Sequence, residues 1–83
     1  MYRIIISQKV AKELKELDNK TYLKIRDRIF TLENDPRPIG STKLTAMNGY
    51  RIRCGMIRIL YEIDDKNNTV TLLRIAHRRE VYK

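Results

Sequence analysis

The chain has 83 residues, of which 42% are hydrophobic and 34% charged, with 18 Lys and Arg against 10 Asp and Glu and a net charge of +8. This describes one globular domain with a modest core, too small for two cores and too apolar for disorder. No apolar run approaches the roughly 20 residues of a bilayer span, M-Y-R-I-I-I-S is too short for a secretory signal, and Cys54 has no disulfide or metal-ligand companion. A cytoplasmic protein is expected, and the charge favours an acidic partner: nucleic acid, an anionic membrane surface or an acidic protein.

Residues 2 to 6, Y-R-I-I-I, are β-branched and aromatic and read as a short strand. Ser7 is a good N-cap, and Val10, Ala11, Leu14 and Leu17 recur after it at helical spacing. Asp18 or Asn19 can cap a second helix, on which Tyr22, Ile25, Ile29 and Leu32 form one stripe, widened by Leu23 and Phe30. So few residues join the two helices that an antiparallel hairpin is expected. N-D-P-R-P-I-G-S then stops the second helix and opens a loop that carries Lys43 and Leu44 before a turn at Asn48-Gly49.

From Tyr50 the period becomes two. Tyr50, Ile52 and Cys54 alternate with Arg51 and Arg53, and Gly55 allows a tight turn. The next strand puts Ile57, Ile59, Tyr61 and Ile63 on one face, with Arg58, Leu60 and Glu62 on the other. D-D-K-N-N is a polar turn, and T-V-T-L-L-R-I-A-H is the last strand. The expected fold is α+β in a single domain, residues 1–83: an N-terminal strand, an antiparallel helical hairpin, then a three-strand antiparallel meander, with the helices on one face of the sheet.

The other face is then free for function. If the isoleucine face meets the helices, Arg51, Arg53 and Arg58 share the open side, and the last strand delivers His77 and Arg78 to its margin, with Tyr82 at the rim. Arginine suits phosphate because its planar fork donates to two oxygens at once and can stabilise the extra charge of a phosphoryl transition state. Histidine is the residue type suited to proton transfer at neutral pH, and the chain has one, His77; a tyrosine can stack a base or move a proton. These are the parts for cutting RNA by attack of a ribose 2′-hydroxyl on its own phosphate. Each residue also has an ordinary use: arginines alternate on solvated strand faces, Tyr50 and Tyr61 suit a core, and Cys54 suits a small buried site. Their joint arrangement carries the functional reading.

The segments K-L at 43–44, G-Y-R-I-R at 49–53, R-I-L-Y-E-I-D at 58–64 and I-A-H-R-R-E-V-Y at 75–82 resemble the RelE/ParE toxin superfamily, and its RelE-type mRNA interferase branch in particular. The resemblance implies a type II toxin that cuts mRNA in the ribosomal A site and so blocks translation. It implies an antitoxin partner, contact with ribosomal RNA, operator DNA bound only as the toxin–antitoxin complex, and no membrane. The family's basic positions fall on Arg51, Arg53, Arg58 and Arg78 and its terminal tyrosine on Tyr82, while His77 sits where several relatives have His or Lys. Lys43 and Arg79 become RNA-backbone contacts. The best-known relative has lysines at the positions of Arg51 and Arg53. Arginine stays charged at any working pH, so these two bind and stabilise, and the base role falls to His77 or Tyr82. Many relatives also continue into a C-terminal helix, where this chain stops one residue after Tyr82. No cofactor and no metal is implied. Two other readings remain: a ParE-like protein that binds DNA gyrase without catalysis, and a degenerate toxin that acts only in operator binding with its antitoxin.

Overall fold

Ser7 and Asp18 punctuate the first third of the chain. Both backbones are extended there, Ser7 Oγ accepts from the Val10 amide at 3.2 Å, and Asp18 accepts from Thr21 at 3.4 Å. Each satisfies a donor that the first helical turn would otherwise leave open. In the computed structural model, which describes residues 1–45 and 48–77, the elements are β1 (Arg3–Ile6), α1 (Gln8–Lys15), α2 (Asn19–Thr31), β2 (Thr42–Lys43), β3 (Gly49–Cys54), β4 (Ile57–Asp64) and β5 (Thr69–His77). Among the described residues, no helix is long and apolar enough to cross a membrane.

The five strands form one sheet in the order β1-β5-β4-β3-β2. β2 to β5 pair antiparallel, whereas β1 runs parallel to β5. The sheet is therefore mixed, and the expected meander is one strand longer. Thr42–Lys43 pairs with Arg51 and Tyr50, in a segment expected to be loop. A two-residue strand carries too short a pattern to be read locally; its pairing partner defines it.

α1 packs on β5 and α2 on β3, with only residues 16–18 between the helices. Val10, Leu14, Ile25, Ile29 and Leu32 meet Ile52, Ile59, Tyr61, Ile63, Val70, Leu72 and Ile75 in one buried cluster. The isoleucine face of β4 thus lies under the helices, as the alternation predicts. Leu23 and Phe30 do not widen the buried stripe of α2. They are 40% and 54% exposed, because the stripe of Ile25, Ile29 and Leu32 already spans the contact.

The core face of β5 does not alternate throughout. Leu60 pairs with Arg74 and Tyr61 with Leu72, so Leu73 is an extra residue without a partner, a β-bulge. Val70 and Leu72 face the helices before it, and Ile75 does so after it. Past the bulge each side chain sits on the face opposite to the one simple alternation assigns. β1 ends at Ile6, opposite Leu72, and beyond it the Ile75 amide donates to Glu13 of α1 at 2.8 Å, while Arg74 Nε lies 3.5 Å from the same carboxylate.

The 34–41 segment is tied to the sheet and to the turn between β4 and β5. The Tyr61 hydroxyl, in the core, donates to the Pro36 carbonyl at 2.7 Å. Arg37 donates to both carboxylate oxygens of Asp65, at 3.2 and 2.8 Å, and to the Tyr50 hydroxyl at 3.0 Å. The Tyr2 hydroxyl donates to Asp65 at 2.5 Å. Tyr50 in turn stacks on Tyr61, with ring centroids 6.0 Å apart.

Two outcomes are expected. Burial pushes the Tyr61 phenol up to about 12, so the folded state keeps a proton that the unfolded chain loses near its ordinary value of about 10. This contribution to stability is complete below pH 10 and is lost as pH rises toward 12. Tyr61→Phe should cost about 1–3 kcal/mol at neutral pH by stranding the Pro36 carbonyl, and should flatten the alkaline loss in urea titrations. The hydrogen bonds from Arg37 and then Tyr2 hold the Asp65 carboxyl below its usual range. Its contribution is present above the unfolded value of about 3.9 and is lost as pH falls below it. Asp65→Asn should therefore shrink the acid-side decline in denaturation midpoint relative to wild type.

Candidate functional site

The hairpin between β3 and β4 decides which side chains face the helix-free side. Cys54 pairs with Ile57 across the two-residue turn Gly55-Met56, and Gly55 takes a φ of +64° that an L side chain rarely adopts. That register places Arg53 directly opposite Arg58 and Arg51 opposite Leu60. Tyr50, Ile52 and Cys54 take the helix side, so the arginines take the other.

There, Arg51, Arg53 and Arg58 line a hollow of about 260 Å³ together with Gly40 and Thr42. The three guanidinium-bearing residues are graded in depth: Arg53 is exposed, Arg51 half-buried, and Arg58 only 2% exposed. Like charges directly opposite on paired strands destabilise the pair. The register sets Arg53 directly opposite Arg58, and an anion in the hollow would favour that arrangement. The hollow is open and lined by three arginines.

The sequence expectation of one converged surface holds for Arg51, Arg53 and Arg58 and fails for His77. His77 pairs with Ile57, so it stands on the helix side, the opposite side from Arg58. The cause is the Leu73 bulge, which exchanges the two faces of β5 over its last residues and sets Ala76 against Arg58 instead. His77 lines a different and larger groove, about 540 Å³, with Glu16, Leu17, Asp18, Lys24 and Met56 among its neighbours. That groove mixes carboxylates with cations and lacks the single sign of charge that would gather a polyanion. Lys43 is also apart from the arginines. It pairs with Tyr50 and sits over that ring at 5.3 Å, on the helix side. Arg78, Arg79 and Tyr82 lie outside the described residues.

Sequence reading missed Gly40, Thr42 and Arg37. The first two enter the hollow through the unpredicted pairing of β2 and through the Pro38–Ser41 turn, where the Ser41 amide donates to the Pro38 carbonyl at 2.9 Å and Gly40 has a φ of +97°. Nothing local marks Arg37, whose partners Tyr50 and Asp65 are distant in sequence. Among the described residues, no group of three or more His, Cys, Asp or Glu side chains could hold a metal ion.

Comparison with known proteins identifies the family. The chain is 36% identical over 53 residues to the toxin RelG of Mycobacterium tuberculosis, a match that spans 63% of this chain and 61% of that relative's length. It is 27% identical to RelE1 of Methanocaldococcus jannaschii over 99% of this chain and 96% of that one. In structure it is similar to a chain of the archaeal RelE–RelB complex from Pyrococcus horikoshii, with a TM-score of 0.84, 28% identity and coverage of 93% and 94% of the two chains. The family model described as "ParE toxin of type II toxin-antitoxin system, parDE" matches residues 4–82. The chain therefore belongs to this family of type II toxins, as a RelE-like member.

Proposed function

We propose that the protein is a ribosome-dependent endoribonuclease that cuts mRNA in the A site and so inhibits translation. The observation that carries this reading is the hollow in which Arg51, Arg53 and Arg58 meet on the helix-free face. A phosphodiester entering it would find guanidiniums at three depths, arranged to neutralise the charge that builds on the non-bridging oxygens. In the reaction, the ribose 2′-oxygen attacks the adjacent phosphorus as its proton leaves. The bond to the 5′-oxygen breaks, and that oxygen takes up a proton. The products are a 2′,3′-cyclic phosphate and a 5′-hydroxyl. Arginine does not accept the first proton at any working pH. By resemblance, Arg78 joins the phosphate-binding set and Tyr82 handles protons or stacks a base. His77 stands on the helix side, which favours Tyr82 over His77 for the base role. Weak acid–base groups suffice if the ribosome orients the 2′-hydroxyl, since orientation supplies much of the rate. Lys43 and Arg79 are assigned to the ribosomal RNA backbone, Lys43 from the helix side.

A cognate antitoxin is part of the proposal, because the Pyrococcus relative was solved as a complex with RelB. Binding of the pair to operator DNA is carried over from the family resemblance. The family model bears the name of ParE toxins, which makes gyrase binding the second reading.

Primer extension on mRNA from cells expressing the protein tests the choice. Cuts at codon-linked positions support RNA cleavage, whereas intact mRNA with DNA damage selects the gyrase reading. Arg51→Ala should lower cleavage by about 100-fold or more, the scale for losing one preorganised donor to a developing oxyanion, with little change in thermal stability because the side chain is half-buried. His77→Ala should leave the cleavage pattern in place, and loss of cleavage in that variant would move the site to the other face.

A further inference from the structure

The turn that walls the arginine hollow is held from the opposite side of the sheet. Gly40 lines the hollow, and apart from the half-buried Pro38 the turn makes little apolar contact among the described residues: Ile39 is 100% exposed, and nothing lies within 4 Å of a Cβ built on Gly40. The ends of the segment are fixed by the Tyr61 hydroxyl on the Pro36 carbonyl and by the pairing of Thr42 with Arg51. Between those ends, Arg37 reaches out of the segment to Asp65 and Tyr50. Its guanidinium also lies over the Tyr50 ring at 5.2 Å, on the helix side, so the chain from Arg37 to Thr42 rounds the β2 edge of the sheet. Pro38, directly after Arg37, fixes one of the backbone torsions that link the guanidinium to the turn. The side chains of Arg37 and Asp65 are 42% and 58% exposed, and exposed pairs add little to stability. A fork held by both carboxylate oxygens and by a phenol does fix direction.

We infer that Arg37 is a positioning residue: clamped on Asp65 and Tyr50, it holds the Pro38–Ser41 turn as one wall of the hollow and so seats the scissile phosphodiester against Arg51, Arg53 and Arg58. This rests on the RNA-cleavage reading of the hollow. Asp65 offers a test in which two explanations differ in sign. Removing its negative charge should favour RNA binding on electrostatics alone, whereas loosening the wall should slow cleavage of bound RNA.

The experiment is single-turnover cleavage of mRNA on programmed ribosomes, with rate and half-saturation measured separately at a temperature where thermal melts show every variant folded. Asp65→Asn and Arg37→Met should each lower the saturating rate by about tenfold, equivalent to roughly 1.4 kcal/mol and within the range for residues sharing one network. Half-saturation should change little. The double variant should be no slower than either single, and Asp65→Glu should recover most of the rate. Tyr50→Phe, which removes only the accepting hydroxyl, should show a smaller loss in the same direction. If wild type and Asp65→Asn cut at equal saturating rates while Arg51→Ala is slow, the inference is overturned and the RNA reading survives. If wild-type protein does not cut mRNA on ribosomes, both fall.

Discussion

The register of one hairpin sets nearly everything else. The two-residue turn at Gly55-Met56 fixes Cys54 against Ile57, and every pair back along β3 and β4 follows from it. A slip of one residue would carry Ile52 and Tyr50 out of the core and drive Arg51 and Arg53 into it. The same pairing that stacks Tyr50 on Tyr61 therefore also brings Arg53 opposite Arg58. Core and hollow are two faces of one constraint. The apolar face, locked by the helices, fixes the positions of the three arginines on the other side.

The molecule handles its edges with polar side chains. On the β1 side, Glu13 takes the Ile75 amide just beyond the point where β1 ends. On the β2 side, the 34–41 segment folds round the edge and is gripped by Arg37. The first device closes off a backbone donor that could otherwise template pairing with another chain. The second shapes the basic hollow, which links an ordinary structural need to recognition.

Much of this was legible in the residues. Ser7 and Asp18 announced the helix starts, because short polar side chains before apolar periodicity have a capping job to do. The alternation over 50–54 and 57–63 assigned Arg51, Arg53 and Arg58 to one face correctly. The failures share a physical cause: they depend on partners far away in sequence. The bulge at Leu73 is hidden because two adjacent leucines fit either face, and only the pairing with β4 reveals which one is extra. Its consequence is the transfer of His77 to the helix side. β2 is two residues long and exists only through β3. The exposure of Leu23 and Phe30 is invisible to a periodicity count, which finds a stripe but not how much of it the sheet can cover. Arg37 carries no local signal, because its partners Tyr50 and Asp65 are distant in sequence.

The central claim is that RNA meets this protein at the arginine hollow. It is tested most directly by the structure of the protein bound to a ribosome carrying an A-site mRNA methylated at its 2′-oxygens, which cannot be cut. The account predicts the scissile phosphate between Gly40 and Thr42, within hydrogen-bond reach of Arg51, Arg53 and Arg58. A phosphate seated instead against Leu17, Met56 and His77, on the helix side, would contradict it.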